Sequence, residues 1–138
     1  MAQCFIVSLA QYFIGSSYFD NKCGSNKGEI HVLLTAPTGT AAFLIEGVTC
    51  HSAFSLPTKT SFYHKQSLSE DTANTLRAAL QHVKIIIVDE YSMVSNKILG
   101  QINRRCQQIW KSDEAFGGKC IILVGDMFQL PPVKASPI

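Results

Sequence analysis

The chain predicts an α/β fold built on a parallel sheet. Two apolar runs, Ile85–Val88 and Cys120–Val124, have no polar face, which suits strands buried on both sides of such a sheet. A third run within Glu29–Ala36 has Ile30, Val32, Leu33 and Leu34 as its body. Helical-period segments alternate with these strands, as right-handed β–α–β crossovers require. With 138 residues the chain is one domain or a piece of one, and 46% hydrophobic content fits a folded core. A net charge of +2, from twelve basic and ten acidic residues, neither demands nor excludes nucleic acid.

In order along the chain, Phe5, Ile6, Leu9, Tyr12 and Phe13 mark an amphipathic helix over residues 2–14, ending near Gly15. Ser16–Gly28 is rich in Gly, Ser, Asn and Lys and reads as a loop. The strand in Glu29–Ala36 follows. Pro37 and Gly39 turn the chain, and Thr40–Glu46 predicts a short helix closed by Gly47. Val48–Glu70 is a long polar segment with Pro57, and a loop of that length inside a compact domain is usually functional. Leu76, Ala79, Leu80 and Val83 put one apolar face on a helix over Thr72–His82. Beyond Ile85–Val88, Ser95 is a candidate N-cap for a helix carrying Ile98, Leu99, Ile102, Cys106 and Ile109 and reaching about Trp110. Lys111–Gly118 turns into Cys120–Val124, and Pro131 and Pro132 stop regular structure soon after.

The five cysteines, Cys4, Cys23, Cys50, Cys106 and Cys120, form no C-x-x-C pair, and free thiols in a reducing compartment are expected. Met1–Phe19 lacks early Lys or Arg and is interrupted by Gln3, Ser8 and Gln11, unlike a signal peptide. No run reaches the roughly 20 apolar residues of a membrane helix, so no membrane partner is expected.

Two acids, Asp89 and Glu90, end the Ile85–Val88 run. In open α/β sheets, ligands gather at the carboxyl ends of the strands. Adjacent acids there can divide nucleotide hydrolysis, one holding Mg²⁺ through water and the other polarising the attacking water. The same residues also read as a buried strand whose acids open a solvated loop.

Four stretches resemble one family. Ala36–Ala42 (APTGTAA) resembles motif Ia of the superfamily-one, RecD-related DNA helicases of the petite-integration-frequency type. Gly47–Pro57 is similar to their next motif, with Thr49, His51, Ser52 and Phe54 as its core. Val88–Val94 (VDEYSMV) is similar to motif II, with Tyr91 where an aliphatic residue is usual. Phe116–Val133 is similar to motif III and keeps Gly-Asp-x-x-Gln-Leu-Pro-Pro-Val. The match runs in order over nearly the whole chain.

The resemblance implies a P-loop NTPase (RecA-like) three-layer sandwich, here a single partial domain over residues 1–138 with motifs Ia to III. It implies 5′-to-3′ unwinding driven by ATP with Mg²⁺, in DNA repair, recombination and telomere maintenance, in nucleus or mitochondrion. Single-stranded DNA and duplex junctions are the implied partners. Asp89 would hold Mg²⁺ and Glu90 would be the general base. Gln129 would sense the γ-phosphate. Pro37, Thr38 and Gly39 would meet DNA phosphates, with Thr49, His51, Ser52 and Phe54 further along the strand. Phe54 is open to two readings, a base-stacking ring or a core aromatic, and His51 could instead hold its loop. The implied strand order is Cys120–Val124, Ile85–Asp89, Ile30–Thr35, with Cys120–Val124 at an edge.

One family feature has no match. The phosphate loop G-x-x-x-x-G-K-[ST] does not occur; Gly118-Lys119 is followed by Cys120 and a strand, where Ser or Thr and a helix belong. A fragment, with its first strand and phosphate loop missing and no second RecA-like domain, is therefore expected. The alternative is a non-catalytic remnant that at most binds single-stranded DNA. Another P-loop ATPase, such as a clamp-loader relative, fits the APTG turn and the Gln-Leu-Pro-Pro signature less well.

Overall fold

The computed structural model describes residues 29–57 and 67–126. Four parallel strands form one sheet in the order β2-β1-β3-β4. They are β1 (Val32–Ala36), β2 (Val48–Thr49), β3 (Ile85–Val88) and β4 (Cys120–Leu123). Thr35 pairs with Val88, Val88 with Leu123, and Ala36 with Thr49, so the carboxyl ends of all four strands lie at one edge. The three strands expected from sequence stand in the expected order. β2 is an addition, in a stretch read as loop.

Among the described residues, four α-helices accompany the sheet: α1 (Gly39–Leu44), α2 (Cys50–Ala53), α3 (Glu70–Ala79) and α4 (Asn96–Trp110). Each starts on a hydroxyl cap, from Thr38, Thr49, Ser69 and Ser95, whose oxygen accepts an otherwise unpaired amide of the first turn. Glu70 and Asp71 add negative charge at the start of α3, where it complements the helix dipole. α4 ends at Lys111, whose left-handed backbone turns the chain.

The main core joins Leu33, Ile86 and Val88 of the sheet to Leu80, Val83, Ile102, Cys106 and Ile109. Phe54 and Cys50 belong to the same cluster. A smaller cluster holds Ala36, Ala41 and Ala42. The apolar period of α4 behaves as expected, but Gln101 and Arg105 are also buried. Arg105 donates to Gln108 Oε1 at 3.0 Å, and burial lowers its pKa. Burial likewise pushes the Cys106 thiol up to about 12.

Gly47 shows how tightly α1 feeds β2. A Cβ there would lie 2.5 Å from the Leu34 carbonyl oxygen, so any larger residue would part β2 from β1. No helix among the described residues is long and apolar enough to cross a membrane. The helix expected over residues 2–14 lies outside the described residues.

Candidate nucleotide and DNA site at the strand ends

The register puts Ala36, Asp89 and Val124 side by side, one step past Thr35, Val88 and Leu123. The Asp89 amide donates to the Thr35 carbonyl at 2.8 Å, and the Val124 amide to the Val88 carbonyl at 2.8 Å. Sheet pairing therefore persists through Asp89, which holds its backbone rigidly at the mouth of the site. Asp89 and Glu90 are both half-buried.

Glu90 leaves the strand abruptly, with φ 49° and ψ 41° in the left-handed region. An L-residue there costs about 1–2 kcal/mol. Neighbouring bonds hold it. The Tyr91 amide donates to the Val124 carbonyl at 3.0 Å, and the Met93 amide to the Glu90 carbonyl at 3.0 Å. Gly125 makes room for this: a Cβ there would come 2.9 Å from the Tyr91 nitrogen. The turn carrying Glu90 and the chain leaving β4 are thus packed backbone to backbone. Tyr91, which stands where the family usually has an aliphatic residue, is buried and packs in the interior.

Beside the acids stand the first turns of α1 and α2. Pro37 and Thr38 are half-buried and Gly39 is exposed. The Thr38 hydroxyl oxygen accepts from the Ala41 amide at 3.2 Å, which leaves its proton to donate outward. Thr49 accepts from the Ser52 amide at 3.2 Å and donates to the Ser52 hydroxyl at 3.0 Å, which leaves the exposed Ser52 proton as a donor. Short donors and exposed amides suit phosphate oxygens, which position a strand without reading its sequence. His51 is half-buried beside them.

Phe54 requires a correction. It was one of the expected DNA contacts, but it is 0% exposed and belongs to the main core. A ring enclosed on both faces cannot stack a base, so Phe54 anchors the end of α2. Gln129 lies outside the described residues. Two features escaped sequence reasoning: the short β2–α2 unit and buried Thr35. The Thr49-x-x-Ser52 spacing could have marked the cap of α2; nothing local marks Thr35.

No cluster of three His, Cys, Asp or Glu side chains suited to a metal occurs among the described residues. Two adjacent half-buried carboxylates do fit Mg²⁺, a hard cation that takes one or two carboxylates and completes its shell with water and substrate phosphates.

The model of the PIF1-like helicase family matches residues 22–137. The chain is 37% identical over 108 residues to the ATP-dependent DNA helicase RRM3 of Saccharomyces cerevisiae, covering 77% of this chain and 15% of that protein. It is 34% identical over 104 residues to the ATP-dependent DNA helicase Pif1 of a Psychrobacter species, covering 75% of this chain and 16% of the other. Among solved structures, Bacteroides Pif1 bound to single-stranded DNA superposes with a TM-score of 0.70 at 33% identity, over 92% of this chain and 28% of that one. Bacteroides Pif1 with ADP-AlF3 and single-stranded DNA gives 0.65 at 35% identity, over 86% and 27%. The chain thus spans under a third of each relative, within a stretch where sequence and fold agree, and it belongs to the PIF1-like helicase family.

Proposed function

We propose that residues 1–138 are a partial RecA-like domain of an ATP-dependent DNA helicase that unwinds DNA 5′ to 3′. Its substrates are ATP and single-stranded DNA next to duplex junctions. The observation that best supports this is the common level of Ala36, Asp89 and Val124, with the first turns of α1 and α2 beside them. Relatives described with ADP-AlF3 and single-stranded DNA support the same pair of ligands.

In this reading Asp89 would hold Mg²⁺, which would supply positive charge to offset that of the transferred phosphoryl group. Glu90 accepts the proton of the attacking water. Its turn is tied to the end of β4, so its carboxylate needs little reorganisation. Gln129 reads the γ-phosphate. Pro37, Thr38, Gly39, Thr49, His51 and Ser52 face the DNA backbone. Thr38 and Ser52 each donate a proton to a phosphate oxygen.

Two measurements test this. In the whole protein that carries this segment, Glu90→Gln should lower DNA-stimulated ATP hydrolysis by about 10²–10⁴-fold while nucleotide binding is retained, because only the base is lost. Unchanged turnover would remove Glu90 from the chemistry. The 138-residue chain by itself has no phosphate-loop lysine and should hydrolyse no ATP. It should still bind oligo-dT at about micromolar affinity or weaker, with log affinity falling by about 0.7 per neutralised phosphate against log salt. Binding that ignores salt would speak against a phosphate-contacting surface.

A further inference from the structure

Phe43 is 82% exposed and Leu44 is 70% exposed, the two most exposed large apolar side chains among the described residues. Both lie on α1. Its outer face is Gly39, Thr40, Phe43 and Leu44, while Ala41 and Ala42 pack inward with Ala36 and Ile45. The packing of α1 therefore makes no use of the aromatic ring. Adjacent apolar groups left in water and rimmed by polar residues mark a surface that takes a partner.

The ring has a defined direction. Side chains of an α-helix lean toward its amino terminus, so Phe43 reaches back over the turn opened by Gly39, four residues earlier. That ground is clear, since a Cβ on Gly39 would meet nothing within 4 Å. Four residues of helix rise about 6 Å, which sets the ring beside the Thr38 hydroxyl and the Gly39 turn. A polar strip and an apolar strip thus run side by side. A single strand of DNA has the same two sides, charged phosphates along one and open base faces along the other. A duplex hides its base faces in its own stack, and a free phosphate has none.

We propose that Phe43 is a base-stacking residue, whose exposed ring takes an unpaired base while Thr38 and Gly39 meet the phosphates of the same strand. This rests on the reading of Pro37, Thr38 and Gly39 as phosphate contacts. Phe43 fills the role that Phe54, enclosed in the core, cannot. Every base has a π-face, so the contact favours unpaired strand without reading its sequence.

Binding of oligo-dT and of an abasic strand of the same length by the full 138-residue chain, at low salt, tests the assignment. The abasic strand keeps the phosphates and removes the bases. Wild type should bind oligo-dT about fivefold to 150-fold more tightly than the abasic strand, the range expected of one stacked base. Phe43→Ala and Phe43→Leu should each lose most of that preference yet bind the abasic strand as wild type does. Phe43→Trp should keep it. The slope of log affinity against log salt should be the same in all four proteins, because no phosphate contact has changed. A preference that survives in Phe43→Ala and Phe43→Leu, or a loss that falls equally on both strands, overturns the proposal. If wild type binds both strands equally and with a salt slope, the phosphate reading stands and the stacking fails. If wild type binds neither strand, the phosphate reading fails and takes the stacking with it.

Discussion

Glu90 concentrates the conflict between folding and function in a single residue. Its left-handed backbone disfavours every side chain except glycine, yet the site reading needs a carboxylate there. Relief of that strain, offset by the extra chain entropy of glycine, should let Glu90→Gly keep stability or raise it by up to about 1 kcal/mol. Urea unfolding of the chain measures this. A loss well beyond about 1 kcal/mol would mean that the carboxylate itself helps hold the fold. The acid pair was legible in sequence because an apolar run ending in two acids is a local pattern. The strain was not, since it arises from Gly125 and Val124 packing on Tyr91, more than thirty residues away.

α4, packed in the main core, shows how a helix is secured at both ends. Its buried N-cap Ser95 accepts the Ile98 amide at 3.3 Å. At the other end Arg77 of α3 donates through Nε to the Ile109 carbonyl at 2.6 Å and through its terminal nitrogen to Gln108 at 3.3 Å. Ser95→Ala and Arg77→Ala should each cost about 1–2 kcal/mol and add when combined, because the two ends share no partner. Thermal or urea unfolding of the three variants checks it; a strongly non-additive double variant would mean the ends communicate. Ser95 was readable as a cap from its place before an apolar period. The role of Arg77 was not, because its partners belong to another helix. The β2–α2 unit was unreadable for a different reason: two strand residues and four helical ones carry no period. Pairing with β1 creates it.

For the whole molecule, the consequential feature is the position of β4 at the end of the described sheet. Its Cys120 is exposed and its Ile122 is 38% exposed. The Cys120 and Val124 amides donate inward to Lys84 and Val88, at 3.1 and 2.8 Å. Amides alternate in direction along a strand, so those of Ile121 and Leu123 point away from β3. Native-state exchange should accordingly be slow at Cys120 and Val124 and fast at Ile121 and Leu123. Among the described residues no strand pairs with this edge, and an apolar edge left open invites pairing with another chain, so the isolated chain should be poorly soluble. Slow, uniform exchange along β4 in a monomer would show that another segment covers the edge.

What sequence alone determined was whatever is written in neighbouring residues: the buried strands from their unbroken apolar runs, α3 and α4 from their period, Asp89 and Glu90 from their place after a strand. The motifs supplied the family and the strand order. Tertiary structure decided everything that depends on residues meeting across the sheet. It put Phe54 in the core, in one cluster with Leu33, Ile86 and Val88 of the sheet. It enclosed Thr35 and set its carbonyl against the Asp89 amide, because parallel register aligns β1 with β3. Local pattern sets which face of an element is apolar; only the packed partners determine which polar atoms that face encloses.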